Sequence, residues 1–263
     1  MTLKPIAKVV AITPCWNEPL GMIQQFQNRI EEVRRRLNEK NIGFRHFFLD
    51  DGALELPDEG SILVRHQKNE GLAHTLVDGY EKTFFLKEGP DIVVRLDCQE
   101  HDPLKIIDIV DHLDHTTVGA LFLPICYWFK DDPRPRMAEI TQQIAVFTGA
   151  LSPIRTEEVL ANYNQRFPLG YQAWRIGLLR KLWPQLESSL GIFEDVAGSK
   201  MTWGLDLLAI LLAAKEDPNK IDFLFGGWSP PWTENRGPDK IKAQADKAAK
   251  MIEVARRLGC TFA

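Results

Sequence analysis

Asp91–Pro103 reads DIVVRLDCQEHDP, and this stretch decides the fold that the sequence predicts. Residues Ile92–Leu96 are mostly β-branched or apolar and include no turn former, which is typical of a strand buried on both faces. The next six residues carry three carboxylates and an imidazole. Ligands of an open α/β sheet bind beyond the carboxyl ends of its strands, and hard divalent ions prefer oxygen ligands. The stretch therefore predicts a buried strand that carries Asp97, Gln99 and His101 to the edge of a cleft.

Part of this polar segment also has a purely structural explanation. Asp102 followed by Pro103 is a favoured N-cap and N1 pair, and Lys105–Leu113 is helical in pattern. The two explanations are compatible, because Asp102 can cap the helix while the polar residues before it face the cleft.

The composition indicates a compact globular protein that does not bind nucleic acid. With 263 residues, of which 44% are hydrophobic, the chain can bury a full core as one large domain. The net charge is -4 and the pI is near 5.9, so there is no overall basic field to attract nucleic acid.

The cysteines and the apolar runs favour a cytoplasmic protein. No two cysteines form a C-x-x-C pair, which favours free thiols in a reducing compartment over disulfides or a zinc site. The apolar run near the amino terminus covers only about five to seven residues, too few for a signal peptide, and no later run has the length of a membrane span. We therefore expect no integral membrane segment. The cysteines are Cys15, Cys98, Cys126 and Cys260.

Strands alternate with helices along the chain, which predicts an α/β fold with a doubly wound, mostly parallel sheet flanked by helices. The proline-marked segment Lys130–Arg136 suggests a single compact domain of two halves, residues 1–125 and 126–263, the second ending in a helix. In the second half, Ala138–Ala150 and Thr156–Asn164 are predicted to be helical, and Gly170–Arg175 interrupts this series. The helix resumes over Ile176–Leu186 despite Pro184, and Thr202–Ala214 is an apolar helix that contains Asp206. The predicted strands of the first half are Lys8–Ile12, Phe44–Leu49, Ser61–Val64, Ile92–Leu96 and Val118–Pro124.

Carboxylates follow three of the predicted strands. Glu18 follows the first, Asp50 and Asp51 follow the second, and Asp97 follows the fourth. Acids are common in turns, which explains any one of these loops. Acids that converge at the ends of several strands suit a site for a sugar nucleotide and its metal, and this explanation covers all three loops together.

Seven short motifs follow one another along the chain, namely Thr13–Glu18, Asp50–Ala53, Asn69–Leu72, Asp97–Pro103, Gly170–Arg175, Trp203–Asp206 and the group of Arg236, Gly237 and Lys240. In order and separation they resemble the motifs of the family 2 glycosyltransferases of the GT-A fold. The likeness is strongest to the catalytic domains of dolichyl or polyprenyl phosphate mannosyltransferases. It implies a GT-A-like fold in which residues 1–125 bind the nucleotide sugar and residues 126–263 form the acceptor side.

The resemblance also implies a role for each matched residue. Glu18 and Asp51 would contact the base and ribose of the donor, with Asn69 beside them. Asp97 would serve the diphosphate and a divalent metal, Mg²⁺ or Mn²⁺, together with Gln99 and His101. Asp206 would be the base that accepts the proton of the acceptor. Arg236 and Lys240 would meet phosphate oxygens.

The sequence departs from the family at the metal site. Gln99 stands where the family has a second aspartate, and a neutral amide is a weaker ligand for a hard ion than a carboxylate is. Either His101 and Asp102 complete the site, or the metal is weakly bound or lost.

Some of the remaining polar residues have structural explanations. Asp206 suits the first turn of a helix, where the helix dipole favours an acid, although a lone buried aspartate is costly unless it is paired or used. Four other histidines lack ligand-like spacing to one another, so we expect them at the surface or in satisfied core positions; they are His66, His74, His112 and His115.

Taken together, the sequence predicts an inverting glycosyltransferase of the hexosyltransferase type. It would use a nucleotide-diphosphate sugar and transfer the sugar to an unidentified hydroxyl or phosphate acceptor. Two alternatives stay open, a nucleotidyltransferase and a nucleotide-binding protein with weakened catalysis. The segment TPCWNEP after the first strand is neither glycine-rich nor basic, unlike the loop that a nucleotidyltransferase normally has there.

Overall fold

The computed structural model describes residues 5–52, 61–99, 101–123, 125–126, 165–166, 171–202, 204–224 and 249–260. Seven strands form one sheet in the order β3-β2-β1-β4-β8-β5-β9. They are β1 (Lys8–Cys15), β2 (Gly43–Asp50), β3 (Ile62–Arg65), β4 (Ile92–Arg95), β5 (Ala120–Phe122), β8 (Gln172–Arg175) and β9 (Ile221–Phe223). A separate antiparallel pair joins β6 (Ile125–Cys126) to β7 (Gln165–Arg166).

The large sheet is mostly parallel. The pairs β1–β2, β1–β4, β2–β3 and β5–β9 are parallel, whereas β8 runs antiparallel to both β4 and β5. The helices are α1 (Leu20–Glu39), α2 (Leu72–Phe84), α3 (Lys105–Asp114), α4 (Ile176–Ala197), α5 (Leu205–Glu216) and α6, which covers residues 249–257.

Helices cover both faces of the sheet, because successive side chains of each central strand point to opposite faces. On β1, Val9 and Ala11 pack into the hydrophobic cluster that includes α1 and α3, whereas Val10 and Ile12 pack into the cluster that includes α2, α4 and α5. The prediction of a doubly wound, mostly parallel α/β sheet is therefore confirmed.

The sequence prediction missed strand β8. Gly170–Arg175 was expected to interrupt helices, but Gln172–Arg175 pairs with β4 on one side and β5 on the other. Four residues are too few for a periodic signal, and the pairing partners lie far away in the sequence. The buried Trp174, which packs edge to face on Phe122 with ring centroids 5.3 Å apart, fixes this strand in the core.

Several element boundaries also differ from prediction. Strand β1 continues past Ile12 to Cys15, because its pairing with β2 continues to that residue. Helix α4 runs through Pro184 to Ala197, 11 residues beyond its predicted end at Leu186. Its buried residues continue at helical spacing to Phe193, and that packing offsets the cost of the proline, about 3 kcal/mol.

Helix α5 begins at Leu205 and not at Thr202, because Gly204 at its N-cap has φ 104°. The helices predicted for residues 138–150 and 156–164, and the segment 130–136, lie outside the described residues.

Replacing Trp174 with alanine tests the position of β8 in the core. The residue is fully buried, so we expect Trp174→Ala to lower the free energy of unfolding by about 3–5 kcal/mol in urea titrations. Phe85→Ala is the matched control, because that ring is 78% exposed, and its effect should stay within about 0.5 kcal/mol. Equal effects of the two variants would contradict the placement of β8.

Candidate functional site

A cleft of about 440 Å³ opens at the carboxyl ends of β1, β2 and β4. Four predicted site residues line it, because parallel strands end at the same edge of a sheet. They are Glu18, Asp51, Asn69 and Asp97. The other lining residues are Pro14, Cys15, Trp16, Gly71, Leu72, Thr75 and Thr202.

Asp51 is anchored at the back of the cleft by the start of α2. Its Oδ1 accepts the backbone N–H of Glu70 at 2.8 Å, and its Oδ2 accepts that of Gly71 at 2.9 Å. Burial, the largest single influence, disfavours the charge, but hydrogen bonds from His66 and these two amides together lower the pKa of Asp51. The carboxylate is therefore ionised and fixed in direction.

His66 joins Asp51 to a second acid. Its Nδ1 lies 2.9 Å from Oδ1 of Asp51, and its Nε2 lies 2.9 Å from Oδ2 of Asp78. Both ring nitrogens face carboxylates, so the charged imidazolium satisfies both as a donor. Burial opposes this charge most strongly, but the two carboxylates outweigh it and raise the pKa of His66. The sequence analysis missed this bridge because its three members are separated along the chain.

Glycines let the polypeptide pass close to Asp51. Gly71 has φ 95°, and a Cβ there would lie 3.1 Å from Cα of Thr202. Gly52 has φ 86°, and a Cβ there would lie 2.8 Å from the carbonyl carbon of Lys68. Side chains other than glycine are strained at such φ values, so these two positions shape the rim of the cleft.

Glu18 braces its own loop. Its Oε2 accepts the backbone N–H of Trp16 at 2.7 Å and that of Asn17 at 3.1 Å. The carboxylate is thereby held at the rim of the cleft, where the Trp16 side chain is 57% exposed. Asn69 is exposed on the loop before α2 and lines the same cleft.

Arg95 is the main residue that the sequence analysis overlooked. Its side chain is 1% exposed and makes a bidentate pair with Asp97, with Nη1 3.0 Å from Oδ2 and Nη2 2.9 Å from Oδ1. The same Nη2 lies 3.6 Å from Oδ2 of Asp206. A lone cation inside an otherwise apolar central strand was the available signal, because such a charge is costly unless acids meet it.

Asp206 lies in the first turn of α5, and its side chain is 13% exposed. Gln172 of β8 donates from Nε2 to the backbone oxygen of Asp206 at 3.1 Å. Arg95 therefore joins Asp97, which lines the cleft, to Asp206, which is not one of its lining residues.

Of the predicted metal ligands Asp97, Gln99 and His101, Asp97 is the one that lines the cleft, and Nδ1 of His101 lies 3.9 Å from its Oδ2. His101 is buried, its Nδ1 accepts the backbone N–H of Asp97 at 2.6 Å, and its ring packs on Tyr171 at 4.8 Å between centroids. Burial and then the charge of Arg95 hold the pKa of His101 well below its ordinary value. The ring is therefore neutral, and it packs in the interior against Tyr171.

Asp102 does not complete the metal site either. Its Oδ1 accepts the N–H of Leu104 at 3.1 Å and pairs with Nη1 of Arg29 at 2.7 Å, so it serves the turn before α3. Within the described ranges, no group of three or more His, Cys, Asp or Glu residues is arranged to hold a metal ion. A divalent ion can nevertheless bind here together with a phosphate ligand, because Mg²⁺ commonly takes only one or two carboxylates plus substrate phosphates. Asp97 can supply such a carboxylate, because its side chain is 26% exposed.

The two thiols near these acids are not suited to nucleophilic catalysis. Burial, followed by the charges of Glu18 and Asp97, raises the pKa of Cys98 to about 12. Burial likewise raises the pKa of Cys15 above its ordinary value. Both are free thiols, as is Cys260. They are protonated at neutral pH and act as small apolar residues.

Arg236 and Lys240, predicted to meet phosphate oxygens, lie outside the described residues. Among the helices that are described, none has the length and apolar character needed to cross a membrane.

Replacing His66 tests the charged bridge. Because folding raises the pKa of His66, its charge stabilises the fold fully below the unfolded-state value of about 6.5, and this stabilisation is lost as the pH rises through the folded-state value. We expect the destabilisation by His66→Gln, measured by urea unfolding, to be largest near about pH 6 and to shrink toward about pH 9. Asp78→Asn, which removes one of the two acids, should weaken this pH dependence. A destabilisation that is constant with pH would contradict the bridge.

The chain is similar to solved structures of transferases at low sequence identity. One is the catalytic domain of Drosophila β1,4-galactosyltransferase 7 in complex with xylobiose (11% identity, TM-score 0.40), where the match covers 83% of this chain and 65% of that chain. Another is a mannosyltransferase from Pyrobaculum calidifontis in complex with GDP-Man and Mn²⁺ (16% identity, TM-score 0.40), with 96% and 76% covered. A third is 4-diphosphocytidyl-2C-methyl-D-erythritol synthase from Anaerococcus prevotii (10% identity, TM-score 0.36), with 92% and 96% covered. No family model matches the chain, and no curated protein matches it by sequence.

Proposed function

We propose that the chain is an inverting glycosyltransferase that transfers a sugar from a nucleotide-diphosphate donor to a hydroxyl or phosphate acceptor. The observation that carries this proposal is the meeting of Glu18, Asp51, Asn69 and Asp97 in one cleft at the carboxyl ends of the central strands. These residues come from separate loops, and ligands of open α/β sheets bind at this edge.

The nucleoside binds at the side of the cleft formed by Glu18, Asp51 and Asn69. Glu18 and Asp51 are fixed in direction by backbone amides, so both carboxylates keep constant positions at the cleft. Carboxylates held in this way suit the hydroxyls of a ribose and the N–H groups of a base. Because the side chains of Glu18 and Asp51 are already held in place, donor binding costs little of their conformational entropy, which favours affinity.

The diphosphate binds at the side formed by Asp97. No Lys or Arg is among the described residues that line the cleft, so the diphosphate needs a cation from elsewhere. When bound, a divalent ion shared by Asp97 and the phosphate oxygens would offset the charge of the leaving diphosphate. Arg236 and Lys240 are proposed as further phosphate contacts.

Asp206 is the proposed general base. Its carboxylate takes the proton of the acceptor hydroxyl while the acceptor oxygen bonds to the anomeric carbon of the sugar. The bond between that carbon and the diphosphate oxygen breaks, and the nucleoside diphosphate leaves with the bonding electrons. Attack from the face opposite the leaving group inverts the configuration at the anomeric carbon.

A binding protein with the same cleft but weakened catalysis is the second candidate. The inward position of His101 favours it, because a ring buried against Tyr171 is not among the residues that line the cleft. It shares donor binding with the proposed enzyme and lacks turnover, so the hydrolysis experiment below separates the candidates.

Donor binding is tested by calorimetry with GDP- and UDP-sugars in the presence of Mn²⁺. We expect one class of nucleotide sugar to bind, and Asp97→Asn to weaken its binding by about 10-fold or more through the loss of a charged ligand. Glu88→Gln is the control, because Glu88 is exposed and pairs with Lys8 at the start of β1, at the opposite edge of the sheet. The absence of binding by any nucleotide sugar would overturn the proposal.

Replacing Asp206 tests the general base. We expect Asp206→Asn to lower the rate of donor hydrolysis by about 10²–10⁴-fold, the usual contribution of a general base, with donor affinity nearly unchanged. Hydrolysis to water is the assay because it needs no acceptor. Glu187→Gln, on the exposed face of α4, is the control. Unchanged hydrolysis in Asp206→Asn would remove this residue from the mechanism, and absent hydrolysis in the unmodified chain would favour the binding protein.

A further inference from the structure

Arg95 occupies an unusual place for a charged residue. It lies on β4, between β1 and β8 in the middle of the sheet, and is among the largest fully buried side chains. Taking a guanidinium out of water is costly, and well-aligned hydrogen bonds to carboxylates must offset that cost. Asp97 supplies two such bonds in the parallel geometry that arginine favours. The arginine is therefore fixed, and it fixes Asp97 in turn.

The ion pair with Arg95 weakens the binding of a metal ion to Asp97 when no donor is present. Each carboxylate oxygen already accepts a hydrogen bond from Arg95, and the guanidinium offsets the negative charge. A divalent ion that approached Asp97 alone would meet a weakened ligand and a nearby positive charge. A nucleotide diphosphate brings oxygen ligands and negative charges of its own, and these restore the attraction.

We propose that Arg95 is a positioning residue that makes divalent-ion binding at Asp97 depend on the presence of the nucleotide diphosphate. This inference rests on the proposed function, because it takes the diphosphate to lie beside Asp97. The ion enters with the donor, and the free protein holds it weakly. By thermodynamic linkage the ion strengthens nucleotide binding by the same factor by which the nucleotide strengthens ion binding.

Asp206 is a second carboxylate that Arg95 can contact when an ion binds Asp97. The guanidinium is held between Asp97 at 2.9 Å and Asp206 at 3.6 Å, so when the ion takes over part of the Asp97 charge, Arg95 can strengthen its contact with Asp206. Arg95 thus connects the filling of the donor site to the proposed base. A lysine at this position keeps the charge and loses the bidentate geometry, whereas a methionine keeps an unbranched side chain and loses both.

Mn²⁺ binding, followed by the electron paramagnetic resonance signal of the free ion, tests the inference without an activity assay. In the unmodified chain we expect Mn²⁺ to bind at least about 10-fold more tightly with saturating GDP or UDP than without nucleotide. In Arg95→Met we expect Mn²⁺ to bind about 10-fold more tightly without nucleotide than it binds the unmodified chain, and the effect of nucleotide to fall. Arg95→Lys should keep most of the nucleotide dependence.

Asp97→Asn is the control for the site of binding, and it should abolish the nucleotide-dependent Mn²⁺ binding in both backgrounds. Circular dichroism establishes that each variant is folded. If Arg95→Met does not fold, the unmodified chain decides alone: Mn²⁺ that binds equally well with and without a bound nucleotide overturns the inference. A folded Arg95→Met variant whose Mn²⁺ binding matches that of the unmodified chain overturns it as well.

The result separates this inference from the proposed function. If GDP or UDP binds but does not alter Mn²⁺ affinity, the role of Arg95 and the ion shared with the diphosphate are both wrong, whereas donor binding by a transferase stands. If no nucleotide binds with or without Mn²⁺, the proposed function fails, and the inference fails with it.

Discussion

The ion pair between Arg95 and Asp97 constrains the whole centre of the molecule. A guanidinium buried in the middle strand requires acids beside its N–H groups, and Asp97 and Asp206 lie there. Asp206 begins α5, so this requirement ties the start of a helix to the end of a strand more than 100 residues earlier in the sequence. Removing one partner of such a pair leaves a buried charge uncompensated, which costs about 3–5 kcal/mol. The arrangement therefore fixes the proposed donor ligand and the proposed base relative to each other.

The acids that line the cleft and the neighbouring Asp206 fall into two groups by what holds them. Backbone amides fix the carboxylates of Glu18 and Asp51. The guanidinium of Arg95 holds the carboxylates of Asp97 and Asp206. The two cations described above as partners of Asp51 and Asp97, namely His66 and Arg95, are not among the residues that line the cleft. An anionic ligand must then bring a positive partner with it. This charge pattern explains why a diphosphate and a divalent ion are best considered together.

The sequence predicted well what depends on local pattern and on one general rule. Periodicity located β1 to β4, and because parallel strands end at a common edge, the acids that follow them were expected to meet there. Glu18, Asp51 and Asp97 do so. The sequence predicted poorly what depends on distant partners. Strand β8 is four residues long and is defined by its neighbours, and the roles of Arg95 and His66 appear only when acids from other segments approach them. His101 was expected to face the cleft, but its ring packs inward against Tyr171, a contact that spacing along the sequence does not reveal.

The central claim is that one cleft holds the whole donor, with the nucleoside and the diphosphate at different sets of acids. A crystal structure of the chain with bound GDP or UDP and Mn²⁺ tests this most directly. The account predicts that the ribose and base lie against Glu18 and Asp51, and that the diphosphate lies beside Asp97 with the ion between them. A nucleotide bound elsewhere on the molecule, or in this cleft with its phosphates away from Asp97, would contradict it.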